Sequence, residues 1–481
     1  MIKRGLSLLP VLLVAACAVG PDYVRPASVL PAAWKATGTP AVLEDGAWWR
    51  TFDDPVLDRM IATALEYNQD LAAAAARVDE AQAALHGARA SLLPRVDAGL
   101  SYDKGRSSAF TTRPGAAQVT QIDSAGAALS WEIDLWGKLR RRRESAQASL
   151  AANRYAYDGA RLSLAARVGQ TYFQLLALDA QSTVAAATLS SRLESLTLRE
   201  ARFRGGLTSA LDWHQARAQA DEARVAVSLL RQSIETTEHA LAVLIGASPR
   251  SMMLEPLRGK ALIDQDLPLV LPSGLPSELL DRRPDLAQAE QQLIAANAQI
   301  GAARAAFFPS ISLTGALGTQ STALANLFTG PARTWSFGAD VLAPLIDFGA
   351  TASNVDVVDA RQRQALAGYR YAVQNAFRET LDALTAQQAM AERELAQHDR
   401  LRAAQAALQL SRLRYDNGYS AYLEVLDAER DAFQAELDLV QARLDRLDTA
   451  INLFKALGGG WERKPEPAAR LPQAMRERRP G

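Results

Sequence analysis

The sequence predicts a mainly α-helical chain with a transmembrane β-barrel: four short strands per chain, and a long helical barrel built from an internal duplication. Three observations carry this reading. Segments near residues 70 and 285 repeat one another, a stretch of strand-like alternation follows each copy, and each half then runs for 67 residues in helical period.

The repeat organises the rest. Asp70-Leu71 through Ala88-Arg89-Ala90-Ser91-Leu92-Leu93-Pro94 recurs as Asp285-Leu286 through Ala303-Arg304-Ala305-Ala306-Phe307-Phe308-Pro309, both ends offset by 215 residues. Asp134-Leu135-Trp136-Gly137 corresponds to Asp347-Phe348-Gly349. Arg202-Phe203-Arg204-Gly205-Gly206 corresponds to Arg414-Tyr415-Asp416-Asn417-Gly418, and the last glycine pair is offset by 212 residues. An offset that drifts so little over that distance points to duplication of one structural unit.

Each half opens with an Ala-rich helical run, in the first half from about Val56 to Leu92, stopping before Pro94 as a helix should. The period then changes. Val96, Ala98, Leu100 and Tyr102 alternate with polar neighbours, and after a Gly-, Ser- and Thr-rich loop Ala127, Leu129, Trp131, Ile133 and Leu135 alternate again. The second half repeats the pattern with Ile311, Leu313 and Leu317, then Trp335, Phe337, Ala339 and Val341. Hairpins on a soluble sheet would show the same alternation; aromatics at strand positions in an exported, anchored chain favour the membrane. There the polar alternates Asp97, Ser101, Glu132 and Asp134 would face a watery lumen.

After Gly137 and Gly349 the helical period returns for 67 residues, to Arg204 and Asp416; at 1.5 Å per residue that is on the order of 100 Å. Shorter arms of about 33 residues lead back, from Asp212 to Ile245 and from Glu424 to Leu457. In each half, two short helices are expected to stack end to end beside one long one. Coiled-coil-like packing would be eased by alanine at the contacts.

The N-terminus reads as an export signal. Lys3 and Arg4 precede an apolar stretch, Leu6 to Ala16, too short to span a bilayer comfortably. It ends Val14-Ala15-Ala16-Cys17, which resembles a bacterial lipoprotein signal whose cysteine becomes the lipidated first residue; an ordinary secretory signal with a chance cysteine is the alternative. Ala18, where an aspartate would favour inner-membrane retention in that pathway, leaves outer-membrane sorting open. Several acyl chains can hold a protein to a leaflet without a spanning helix, at about 0.8 kcal/mol per buried CH₂.

Composition removes several function classes. Fifty-three Lys and Arg balance 53 Asp and Glu, so no polyanion partner is called for and nucleic acid is not expected. Cys17 is the only cysteine and there are four histidines, which leaves little material for a disulfide framework or a metal centre, and no cofactor is expected beyond the lipid on Cys17. No phosphate-binding glycine loop, His-Glu-x-x-His or nucleophile elbow occurs, so no enzyme is expected. A structural coiled-coil lipoprotein is a further reading, but it would have no need of strand pairs repeated at the ends of the long helices.

The strands imply an oligomer. Backbone polar groups in lipid must all be paired, so lipid-embedded strands belong to a closed barrel. Four strands cannot close one with an interior, since membrane barrels begin at eight; three copies supply twelve.

Together these features resemble the outer-membrane efflux channel family, in particular its lipoprotein branch serving resistance-nodulation-division pumps. The resemblance rests on the lipobox with Cys17-Ala18-Val19-Gly20-Pro21-Asp22-Tyr23 and Arg25-Pro26, on Trp48-Trp49 and Phe52-Asp53-Asp54-Pro55, and on Leu280-Asp281-Arg282-Arg283-Pro284-Asp285. It continues through Ala303-Arg304 to Phe308-Pro309, Leu345-Ile346-Asp347-Phe348-Gly349, Arg414-Tyr415 with Gly418, and Leu423-Glu424-Val425-Leu426-Asp427-Ala428. It implies a homotrimer in the outer membrane, lipid-anchored, with a periplasmic helical barrel reaching a periplasmic adaptor protein and an inner-membrane pump. The trimer would passively conduct drugs or other small molecules outward; a type I secretion or metal-efflux channel is the alternative within the class.

The expected division is a signal peptide at 1–16, an anchor and equatorial segment at 17–60, and a first repeat at 61–246 with its strand pair near 94–136 and hairpin tip near 204–211. An equatorial linker follows at 247–280, then a second repeat at 281–457 with strands near 309–347 and tip near 416–423, and a C-terminal segment at 458–481 whose charged, Pro-rich end is expected to lack fixed structure. Gly205, Gly206 and Gly418 stand where tight interhelical reversals need permissive dihedrals. Glu424 and Asp427, three apart on one helical face, would gather six carboxylates around a threefold axis. In related channels the matching residues form a constricting acidic ring, the first frequently Asp where this chain has Glu424. Crowded like charges there would raise carboxylate pKa values and attract cations. Arg430, with Tyr415 and Asp212, completes the expected periplasmic gate.

Overall fold

A computed structural model describes residues 18–27, 47–108, 110, 119–250, 258–267 and 276–459. Cys17, the signal segment and everything from residue 460 onward lie outside the described residues. The chain divides into two compact units, Met1–Ala27 with Arg77–Arg154 and Gln288–Tyr371, and Ser28–Ala76 with Tyr155–Ala287 and Ala372–Gly481. The helices are α1 (Pro55–Tyr67), α2 (Gln69–Ala90), α3 (Lys138–Arg204), α4 (Ala210–Leu244), α5 (Pro284–Arg304), α6 (Ala350–Asp416) and α7 (Tyr422–Ala456). The strands are β1 (Arg95–Arg106), β2 (Val119–Ile133), β3 (Ser310–Ser321) and β4 (Arg333–Leu342). Helices α3 and α6 each span 67 residues and α4 and α7 each span 35, so the duplication is reproduced helix for helix. No described helix is long and apolar enough to cross a membrane.

In the first unit the strands form one antiparallel sheet in the order β1-β2-β3-β4. Leu100 faces Ala125 across β1 and β2, and Leu317 faces Trp335 across β3 and β4. The two halves of the duplication meet at β2 and β3, where Gly126 pairs with Gly318. A Cβ on Gly318 would come within 2.5 Å of the Ala125 carbonyl oxygen, so this seam needs glycine for close approach. β1 and β4 leave their outer edges unpaired among the described residues, and Leu100 and Trp335 are 82% and 79% exposed. Such a sheet has neither a core to pack on nor closed edges of its own.

β2 ends at Ile133, before Leu135 and Asp134. Asp134 was expected to face a lumen; instead it caps α3, accepting from the amides of Leu139 at 2.9 Å and Arg140 at 2.8 Å. A helix start leaves its first N–H groups without intrahelical partners, and a carboxylate satisfies them. Asp347 does the same for α6 through the amides of Gly349 and Thr351, which holds its carboxyl below the usual range. The N-terminal segment is tied beside this junction: Val19 N donates to Trp136 O, and Arg25 makes two 2.6 Å bonds to Glu290.

The second unit has an aromatic core. Trp48 stacks on Phe454 at 5.3 Å, Phe52 meets Phe173 edge-on at 5.1 Å, and Leu57, Ile61, Leu447 and Ile451 fill around them. Arg283, nearly buried, is held by Asp285, Glu379 and the carbonyl of Ala456, so the Arg-Arg-Pro-Asp motif is a fastening between the second repeat and the end of α7.

The helical run expected from Val56 to Leu92 is broken at Asn68. Its backbone is extended, its side chain caps Leu71 N, and its amide donates to the carbonyl of Leu244 at 2.9 Å. The side-chain cap on Leu71 N thus takes the place of a helical bond and the long-range bond to Leu244 fixes that side chain, with no glycine or proline to announce the break.

Candidate functional site

The two hairpin turns end their long helices in the same way. Gly206 N donates to Phe203 O and Leu207 N to Arg202 O; Gly418 N donates to Tyr415 O and Tyr419 N to Arg414 O. These paired bonds are Schellman closures, which need a left-handed residue. Gly206 and Gly418 supply it at φ +73° and +76°. Gly205 does not: its φ is not positive, and Asn417 occupies the equivalent place in the second turn, so the expectation of a required glycine at 205 is corrected.

Beyond the first turn, Ser209 caps α4 by accepting from Asp212 N at 3.2 Å, and the Asp212 carboxylate accepts from the Thr208 hydroxyl at 2.6 Å. Asp212 therefore closes its own turn and meets none of the other expected gate residues. Phe203 and Trp213 stack across the same reversal, centroids 5.5 Å apart.

Beyond the second turn, α7 turns Tyr422, Val425 and Leu426 inward against Ala216 of α4, with Leu196 and Tyr415 packed on them. The helical period then puts Glu424 and Asp427 on the opposite, solvent side, each with more than half its side chain exposed. Glu424 lies 3.6 Å from Arg414 Nε, and Asp427 lies 3.1 Å from Arg430 Nη2. Exposed pairs of this kind contribute about 0–1 kcal/mol, so within one chain the two carboxylates are available for other partners.

Tyr415 engages a residue that sequence reasoning missed. Arg199 of α3, 5% exposed, lies between two tyrosine rings, 4.4 Å from the centroid of Tyr415 and 4.2 Å from that of Tyr422, and donates to Tyr415 OH at 2.5 Å. Ser195 lies 3.3 Å from Tyr422 OH on the same face. One guanidinium thereby fastens the end of α6 and the start of α7 to α3. The repeat offset sets Ser411 at the equivalent position of α6, so the duplication carries no signal for it. Arg414, the neighbour of Glu424, was likewise not anticipated.

Each cation–π contact is worth about 0.5–2 kcal/mol and the charge-assisted hydrogen bond about 1.5–3. Arg199→Ala is therefore expected to loosen the start of α7 by about 3 kcal/mol, read as faster amide exchange at residues 422–428 while α1 keeps its protection. Unchanged exchange there would remove Arg199 from the tip's support.

The sequence matches the profile of the outer membrane efflux protein family over residues 60–247 and 275–459. The chain is 36% identical over 460 residues to a toluene efflux pump outer membrane protein, TtgF of Pseudomonas putida, covering 93% of this chain and 94% of the relative. It is 33% identical over 464 residues to a probable outer membrane lipoprotein, SilC of Salmonella typhimurium, at 95% and 98% coverage. Among solved structures, the open state of the Neisseria gonorrhoeae MtrE outer membrane channel superposes with a TM-score of 0.82 at 32% identity, over 94% of this chain and all of that one. With the profile covering both repeats and these likenesses spanning nearly the full length, this chain belongs to the outer membrane efflux protein family.

Proposed function

We propose that this protein is the outer-membrane exit duct of a tripartite efflux pump, passing small molecules from an inner-membrane pump of resistance-nodulation-division type and a periplasmic adaptor to the exterior. The observation that carries this is the sheet with two unpaired edges in a member of a channel family. Joining β1 of one copy to β4 of the next satisfies both edges, and three copies make a closed twelve-stranded barrel. Energy comes from the pump. The anchor is a covalent lipid on Cys17, a reading supported by the lipoprotein relative. The substrate class follows the toluene efflux relative: apolar or amphipathic small molecules.

In the trimer, Glu424 and Asp427 of three copies form an acidic constriction at the periplasmic tip, with Arg414 and Arg430 beside them. Their exposure within one chain and their position directly after the Gly418 turn support this reading. Six carboxylates near one axis favour entry of cations and hold the tip narrow through pairs with arginines of neighbouring copies. Purified protein in planar bilayers tests it. The wild-type chain is expected to form a small, cation-selective conductance, and Glu424→Ala with Asp427→Ala to raise that conductance several-fold while reducing the selectivity. Equal conductance and selectivity would overturn the gate; absence of any channel in both would overturn the duct.

A further inference from the structure

Helix α3 begins against the electrostatics of helices. Its first two turns carry Lys138, Arg140, Arg141, Arg142 and Arg143, with no acidic residue in the first turn, although the positive end of the helix dipole disfavours cations. The duplication does not require this: the repeat offset places Ala350, Ala352, Ser353, Asn354 and Val355 at the equivalent positions of α6. Three of the five cations are answered locally. Lys138 pairs with Glu132, Arg140 with Asp134, and Arg141 with Asp22 and Glu144. Arg142 and Arg143 are exposed and have no hydrogen-bonding or ionic partner among the described residues.

Their place in the fold says what they face. Trp131 and Trp136 stand at the end of β2 and just past it, Trp136 stacked on Phe308 at 4.8 Å. Phe307 and Phe348 are exposed at the same end of the sheet. Tryptophan and phenylalanine at the ends of membrane strands mark the interfacial level of the bilayer. From Lys138 to Arg143 the helix rises about 7–8 Å, and the headgroup layer on each side of a bilayer is roughly 5–8 Å deep. A cleft of about 400 Å³ opens here, lined by Ala18, Asp22, Arg140, Arg141, Arg143 and Glu144, with Ala148 and Ile294 as an apolar floor. Val19 N donates to Trp136 O at 3.0 Å, so the first described residues, Ala18 and Val19, lie at the level of Trp136, beside the arginines.

We propose that Arg142 and Arg143, with the cleft beside them, bind the phosphodiester headgroup of an anionic phospholipid in the periplasmic leaflet. This rests on the reading of the sheet as a membrane barrel. Guanidinium groups match phosphate oxygens in a bidentate fork, and a phosphate here compensates the two unpaired arginines, the start of α3 itself being already capped by Asp134. The acids Asp22 and Glu144 in the cleft are already engaged by Arg141, which leaves Arg143 as the cation free to meet the lipid. The contact adds a second attachment to the acyl anchor and fixes the depth of the barrel.

Native mass spectrometry of the detergent-extracted full chain, mixed with phosphatidylglycerol or phosphatidylcholine, tests the proposal. The trimer is expected to retain phosphatidylglycerol preferentially, and Arg142→Gln with Arg143→Gln to weaken that retention roughly 30-fold, whereas Arg142→Lys with Arg143→Lys keeps most of it. A trimer with no lipid preference overturns the site and leaves the duct reading standing. Stripping of the lipid by millimolar inorganic phosphate overturns the membrane source by reassigning the cleft to soluble anions. A monomer in the same spectra overturns the duct reading and this proposal together.

Discussion

Asp448→Asn is expected to raise the stability of the protein at pH 7.5 and to leave it nearly unchanged at pH 4. Asp448 lies on α7, and its Oδ1 is buried without a hydrogen-bond partner among the described residues. The arginines that precede it on α7, Arg443 and Arg446, pair with Glu394, and Arg393 pairs with Asp445. Burial first, and the negative charge of Asp445 second, push the Asp448 carboxyl up to about 7. In the unfolded chain an aspartate ionises near 3.9. Between these values the folded protein holds a proton that the unfolded chain has released, so stability falls as pH rises through that window, and above about 7 the full penalty is present. Three units at 1.36 kcal/mol each put the penalty at about 4 kcal/mol. Asparagine fills the same space and carries no charge. Thermal melts of both proteins from pH 4 to 8.5 check this: the curves should diverge as pH rises, and parallel curves would show that Asp448 is ionised without cost.

What could be read from the chain alone follows from how local each signal is. The long helices ended where expected because their stops are local, the Schellman glycines Gly206 and Gly418, whereas the caps at their starts, Asp134 and Asp347, were not read as such. The strands were legible through alternation, but the pairing of β2 with β3 across the duplication was not read from the sequence, since alternation fixes a strand's faces and not its neighbour. Glu424, Asp427 and Arg430 could be placed near one another because they follow at intervals of three over two turns of α7, whereas the Arg414 beside Glu424 comes from the other arm of the hairpin. Asn68 was not legible, since its extended backbone is held by a carbonyl 176 residues away. Arg199 was hidden for the same reason: its tyrosines come from another hairpin, and alone it reads as a solvated charge on a helix rich in them. Asp448 becomes unusual only once the fold buries its Oδ1 without a described partner and sets Asp445 beside it.

Asp54→Ala is expected to cost about 3–6 kcal/mol and to free the segment 258–267 from the second unit. Asp54 is 1% exposed and accepts four hydrogen bonds: from the amides of Val56 at 2.8 Å and Leu57 at 3.3 Å, from Tyr172 OH at 2.6 Å and from Gln265 Nε2 at 2.8 Å. The first two cap α1; the others reach α3 and the segment 258–267. That segment is drawn in so tightly that a Cβ on Gly259 would fall 2.3 Å from Tyr172 OH and 2.4 Å from Asp54 Oδ1, while Gly259 N donates to the same phenol. Alanine removes a cap worth about 1 kcal/mol, leaves the buried Tyr172 hydroxyl without an acceptor and leaves the Gln265 amide only its bond to the Lys260 carbonyl, at about 1–3 kcal/mol for each bond lost. Burial alone would raise the Asp54 carboxyl, but the bonds from Tyr172, Gln265, Val56 and Leu57 together hold it below the usual value. A depressed carboxyl contributes stability above the unfolded value near 3.9 and loses it as pH falls through the folded one. Asp54→Asn separates charge from shape, because its Oδ1 keeps the cap on Val56 and Leu57 while its NH2 replaces the one oxygen that accepts from both Tyr172 and Gln265. Its deficit against wild type should therefore be smaller than that of Asp54→Ala at neutral pH and should shrink below pH 4. Amide exchange at Gly259 reports the local consequence, since its only described acceptor is the tyrosine that Asp54 holds. Retained protection of Gly259 in Asp54→Ala would mean that Tyr172 is positioned by the surrounding aromatic core instead.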